Sequence, residues 1–169
     1  MNRRTVLNLS AITALGFALP SSRAVAQQKS LKDQLVGTWT VVSSTTKLPD
    51  GSLAWGANPK GLYIFTDNGR YSSHLLRSDR PKFASNNRAT GTPEENKAAV
   101  LGNSSNFGTY SLNEANKTLT IRFEGSSFPN SEGTEQTRPF TISGDDLTMT
   151  NPAPSVGGSA SQLVLKRAK

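Results

Sequence analysis

Cysteine is missing from the 169 residues, and with it go disulfides, thiol nucleophiles, thiolate metal centres and a lipid on an N-terminal cysteine. Histidine occurs once, at His74. Zinc and copper sites take several ligands from protein, so a lone imidazole builds no such centre, and neither a metal nor any other cofactor is expected. Long apolar runs are also lacking: none approaches the ~20 residues of a transmembrane helix. Acidic side chains are fewer than basic ones, 12 against 19, for a formal charge of +7. Setting aside Arg3, Arg4 and Arg23, which lie in a 26-residue stretch without Asp or Glu, leaves 16 basic against 12 acidic side chains, or +4. This small excess is interspersed with acids, and only Arg77 to Arg88 form a local basic cluster. The pattern describes a solvated surface and argues against a nucleic-acid partner. With 34% hydrophobic and 18% charged residues, the chain suits one domain with an economical core.

Residues 1–26 have the three parts of an export signal. Asn2-Arg3-Arg4 leads, Ala11 to Leu19 is apolar, and Ala24-Val25-Ala26 follows Pro20, so cleavage is expected before Gln27. Arg3-Arg4-Thr5-Val6-Leu7 resembles a twin-arginine signal with Val in place of the usual Phe, and the general secretory route stands beside it. Both routes place the mature chain in the periplasm or medium of a bacterium, with no stable membrane insertion once the signal is removed.

After a polar segment at 27–34, with a helical turn possible after Ser30, the domain is read as 35–169. Its first strand, Leu35 to Ser44, puts Leu35, Trp39 and Val41 on one face, and Gly37 permits close backbone approach. Leu48-Pro49-Asp50-Gly51 is a turn, and Ser52 to Asn58, which carries Trp55, is a loosely paired stretch. Lys60 to Thr66 and Arg70 to Leu76 flank Asp67-Asn68-Gly69, a hairpin signal. Arg77 to Gly91 lacks periodicity. Thr92 as cap, Pro93 in the first turn and Glu94-Glu95 at the positive end of the dipole open a helix ending near Gly102. Further strands are Asn106 to Leu112, Thr118 to Glu124, Thr134 to Ile142, Leu147 to Thr150 and Gln162 to Arg167.

Eight strands joined in sequence, mostly by short turns, leave two adhesive edges unless the sheet closes, and a barrel of that size can hold one small ligand. The expected fold is therefore all-β: an eight-stranded antiparallel up-and-down barrel with one short helix covering a mouth. A sandwich is the alternative.

Gly37-Thr38-Trp39 on the first strand and Arg167 at the end of the last look like the lipocalin signature, in which the arginine lies over the tryptophan and closes the barrel floor. Together with Leu35-Val36, Gly61-Leu62-Tyr63-Ile64-Phe65, Phe107-Gly108-Thr109-Tyr110, Gly133 to Arg138 and Gly144-Asp145-Asp146-Leu147, the chain resembles the bacterial lipocalin-like domain family over roughly 35–167. The resemblance implies a small calycin-type barrel. Arg122 stands where relatives often carry histidine, and Ser131 lies near a position where they carry tryptophan.

Strand parity puts Gln136, Arg138, Phe140 and Ile142 on one face, and the last two make that face interior. An inward arginine must be paired or meet an anion, because a buried unpaired charge costs several kcal/mol. Its partner is either a protein carboxylate, Glu124 or Glu135, or the acid group of a ligand. Pro139 could shift the parity through a bulge. Tyr63, Tyr71, Tyr110, Arg138 and Phe140 are the candidate ligand-binding residues, and the partner they suggest is a small hydrophobic or amphipathic molecule with a polar or acidic end. The alternative is a calycin-barrel enzyme, an isomerase, cyclase or lyase, in which Glu124 or His74 moves a proton while Arg138 holds an anion.

Overall fold

The computed structural model describes residues 29–169; the expected export signal and its cleavage point lie outside the described residues. Eight antiparallel strands close into a barrel in sequence order. They are β1 (Gly37–Ser44), β2 (Lys60–Phe65), β3 (Arg70–Leu76), β4 (Asn103–Asn113), β5 (Thr118–Ser126), β6 (Glu135–Ser143), β7 (Asp146–Asn151) and β8 (Ser161–Arg167). Among the described residues two α-helices accompany them, α1 (Leu31–Leu35) before β1 and α2 (Pro93–Leu101) between β3 and β4. Pairing of β1 with β8, for example Val41 with Leu165, removes the edges that an open sheet of this size would expose.

Leu35 departs from the sequence expectation. It ends α1 and does not belong to the first strand. Ser30 caps α1 by accepting from the Asp33 amide at 3.0 Å, and Gly37, at φ 133°, turns the chain sharply from the helix into β1. Leu35 is fully buried all the same. The stretch 52–58 contributes one isolated bridge, Lys47 with Leu53, around the Pro49-Asp50-Gly51 turn.

α2 forms where the cap signals place it. Thr92 Oγ1 accepts from the Glu95 amide, and Glu95 Oε2 accepts from the Thr92 amide. Its other oxygen accepts from the Ala84 amide at 2.8 Å, tying down the preceding loop. These backbone donors hold the Glu95 carboxyl below its ordinary pKa. No residue of α2 is buried.

Connections differ sharply between the two ends. At one end they are tight turns, 66–69, 114–117 and 144–145, while at the other they span 45–59, 77–102, 127–134 and 152–160. The inward side chains form a single core. Phe65, Tyr110, Leu119, Ile121, Phe140, Leu147 and Leu165 are among those filling the barrel between the two ends, and the Phe65 and Tyr110 rings meet edge to face at 5.3 Å.

Candidate functional site

The short-turn end is sealed. Trp39 is fully buried, its indole Nε1 donates to the Leu35 carbonyl at 2.8 Å, and the Arg167 guanidinium lies over its ring at 4.2 Å. Arg167 Nη1 donates to the Val36 carbonyl at 3.1 Å, Nη2 donates to Gln34 O, and Nε faces Asp145 at 3.7 Å. A side chain at position 37 would meet Arg167 Nη1 at 3.0 Å, so Gly37 serves both the backbone conformation and the approach of the arginine. The arginine therefore covers the tryptophan and also satisfies the carbonyls at the end of α1 that no helical amide reaches.

The long-loop end holds a cavity of about 340 Å³, near the lower bound of the ~300–1,000 Å³ common for small-molecule sites. Tyr63, Leu75, Phe123, Met149, Leu163 and Trp55 provide its apolar lining. Glu135 and Arg138 are its charged lining residues. Arg138 faces inward on the same parity as Phe140 and Ile142. Pro139 does not disturb that parity: it is exposed and pairs across from Thr118 in unbroken register.

The two protein carboxylates weighed for Arg138 are committed elsewhere. Glu124 pairs with Arg70 at 2.8 Å on the outer surface, and Glu135, which borders the cavity but is itself exposed, pairs with Arg122 at 3.2 Å. Arg138 instead donates from Nε to Gln136 Oε1 at 2.7 Å, and Gln136 Nε2 donates to the Ala153 carbonyl at 3.0 Å. The guanidinium is thereby oriented by a neutral relay. Among the described residues its two terminal nitrogens have neither a hydrogen bond nor an ion pair.

The tyrosines divide by height in the barrel. Tyr63 lines the cavity. Tyr71 is one shell further from it, its hydroxyl donating at 2.9 Å to Oδ1 of Asn106, a lining residue that also accepts from Ser73 Oγ at 2.8 Å. Burial pushes the Tyr71 phenol well above its ordinary pKa, and the nearby Arg138 charge acts in the opposite direction. Tyr110 points toward the sealed end, donating to the Thr66 carbonyl at 2.6 Å, and its phenol is also raised, by burial first. Phe140 is buried below the cavity and does not line it. Of the five candidates, then, Tyr63 and Arg138 meet at the cavity wall. His74 and Glu124 are exposed on the outside of the barrel, so neither shares a space with Arg138.

Residues that sequence parity did not find enter through bulges. Between Val41 and Ser43 the pairing with β8 slips by one, Val42 turns outward at 51% exposure, and Ser44 and Thr46 then face inward. A second slip, opposite Phe107 and Gly108, leaves Glu124 outside and brings Ser126 beside Asn106 at the cavity.

The sequence matches the lipocalin-like domain family over residues 36–168. The chain belongs to that family. The lipocalin-like domain thus takes in the whole barrel, from the floor residues Gly37, Trp39 and Arg167 to the long loops. No curated protein matches the sequence. One solved structure, described as "REP1-NXSQ fatty acid transporter", aligns with 81% of this chain and 98% of its own at 14% identity and a TM-score of 0.38.

Proposed function

We propose that this lipocalin-like domain is an exported binding protein for a small, mainly apolar molecule with an acidic end. The observation that carries the reading is Arg138: an oriented guanidinium on the wall of a cavity closed below, with its terminal nitrogens lacking protein partners among the described residues. A planar fork of donors suits a carboxylate in two-point contact. Tyr63, Leu75, Phe123 and Met149 supply apolar contact for the rest of the ligand. Displacement of a fluorescent aromatic acid tests the reading. Wild type should bind aromatic or short-chain carboxylates, while Arg138→Ala should bind them at least tenfold more weakly, as expected for losing a hydrogen bond between charged groups at ~1.5–3 kcal/mol. Equal binding by the two proteins would overturn it.

Export belongs to the same proposal and rests on the tripartite pattern of residues 1–26. N-terminal sequencing of the exported protein should begin at Gln27, and retention of Met1 would refute it.

A further inference from the structure

Three small hydroxyl side chains, Ser44, Thr46 and Ser161, stand together on the cavity wall, all buried. Thr46 Oγ1 lies 3.0 Å from Ser44 Oγ and 2.8 Å from Ser161 Oγ. The Thr46 amide donates to Ser44 Oγ at 3.3 Å, which occupies a lone pair and uses no hydroxyl hydrogen. Each hydroxyl carries one donor hydrogen, so the trio has three, and its two oxygen–oxygen contacts consume two. Whichever direction the hydrogens run, one hydroxyl hydrogen lacks a protein acceptor among the described residues. That hydrogen is left over on the cavity wall, so the trio is poised for an acceptor from outside the chain.

The sheet register relates this trio to Arg138. Phe140 pairs with Met149, Met149 with Leu163, and Leu163 with Ser44. Continuing that register one inward step toward the mouth, past the last β6–β7 pair, sets Arg138, Asn151, Ser161 and Thr46 on the next level, with Asn151 and Ser161 directly paired. Arg138 and Ser161 are therefore two strands apart on one level, ~10 Å between backbones at ~4.8 Å per strand spacing. The geometry points to a second polar subsite: the ligand is an organic anion that also carries a hydrogen-bond-accepting oxygen, such as a ketone, about one ring away from its carboxylate. This inference rests on the binding reading above and narrows its ligand class.

A matched pair of probes tests it. 4-Acetylbenzoate and 4-isopropylbenzoate have the same number and connectivity of heavy atoms and differ in a carbonyl oxygen against a methyl group. Without a donor at the far end, the more apolar isopropyl compound binds more tightly; with one, the ketone should bind roughly three- to tenfold more tightly in wild type, the yield of one net hydrogen bond. The triple variant Ser44→Ala, Thr46→Val, Ser161→Ala removes all three hydroxyls with little change of shape and should reverse the preference. Arg138→Ala should weaken both probes alike. A wild-type protein that prefers the isopropyl compound, or a triple variant that still prefers the ketone, overturns the second subsite while leaving the binding reading intact. Failure of both probes to bind wild type overturns both. The wild-type comparison decides against the subsite even should the triple variant not fold.

Discussion

The two ends of this barrel are built from the same eight strands and solve opposite problems. At the short-turn end the polar groups near the core are matched: the Trp39 indole has the Leu35 carbonyl, and Arg167 has the ring, two carbonyls and Asp145. At the long-loop end, among the described residues, Arg138 is steadied through a single nitrogen by a neutral amide, and a trio of hydroxyls has one hydrogen in excess. An arginine with its donors satisfied by the protein is a structural clasp. An arginine held in place with donors to spare is, in the binding function proposed above, a receptor, and the difference lies in the partners and not in the residue type.

Substitutions should separate the ends, and the largest effect on stability belongs to the floor. Trp39→Ala removes a fully buried side chain on which the helix end, β1 and Arg167 converge. We expect a loss of about 3–5 kcal/mol in denaturant unfolding, the usual range for deleting a large core aromatic. A change below ~0.5 kcal/mol, typical of surface sites, would refute the role of Trp39 as a plug.

Next in size is Arg167→Met, which keeps an apolar stem over the indole but strips the donors from the Gln34 and Val36 carbonyls. About 2 kcal/mol should be lost, the cost of leaving acceptors unsatisfied near the core. Arg167→Lys should recover little of it, because an ammonium lacks the planar fork that reaches two carbonyls while stacking on a ring. Full recovery by lysine in a thermal melt would show that charge alone matters at the floor.

The floor was also the more legible end. Strand parity puts Trp39 inside, while the place of Arg167 over it was legible through the likeness to the lipocalin signature and not through periodicity. The inward row of β6, including Arg138, was readable from parity as well, and Pro139 stays harmless because its position faces outward. What sequence parity could not anticipate is the slip at Val42. A bulge exchanges the faces of every later residue on its strand, so Ser44 and Thr46 turn inward where unbroken alternation from Trp39 and Val41 predicts Ser43 and Thr45. Nothing in Val41-Val42-Ser43 marks that slip locally. The paired glutamates illustrate a second limit: each finds its arginine on another strand, Glu124 reaching across β4 to Arg70 on β3 and Glu135 reaching Arg122 on the adjacent β5.

Arg138→Ala turns the comparison around. With no protein carboxylate depending on it, its removal should leave stability within about 0.5 kcal/mol or raise it slightly, since an incompletely matched, partly buried cation is unfavourable in the empty protein. The same protein should lose carboxylate binding. A fall of 3–5 kcal/mol instead, as when one member of a buried ion pair is removed, would mean that Arg138 holds the fold together as Arg167 does, and the contrast between the ends would collapse.

The smallest effects are expected on the outer wall, at Glu124 and His74, one or the other of which a catalytic reading of the barrel would need. Glu124 shares its exposed surface with Arg70, and His74 is within hydrogen-bond distance of Ser72 and Ser105 hydroxyls on the same outer face. Exposed ion pairs contribute about 0–1 kcal/mol and fade with salt. Glu124→Gln should therefore lower stability by no more than ~1 kcal/mol, with the difference shrinking in 1 M salt, and His74→Gln should do less. Neither change should alter the affinity of wild type for an aromatic carboxylate, because both side chains are separated from Arg138 by the barrel wall. A severalfold change in that affinity on Glu124→Gln would show that the outer surface communicates with the cavity, and the division into an inert wall and a receptive mouth would have to be redrawn around β5.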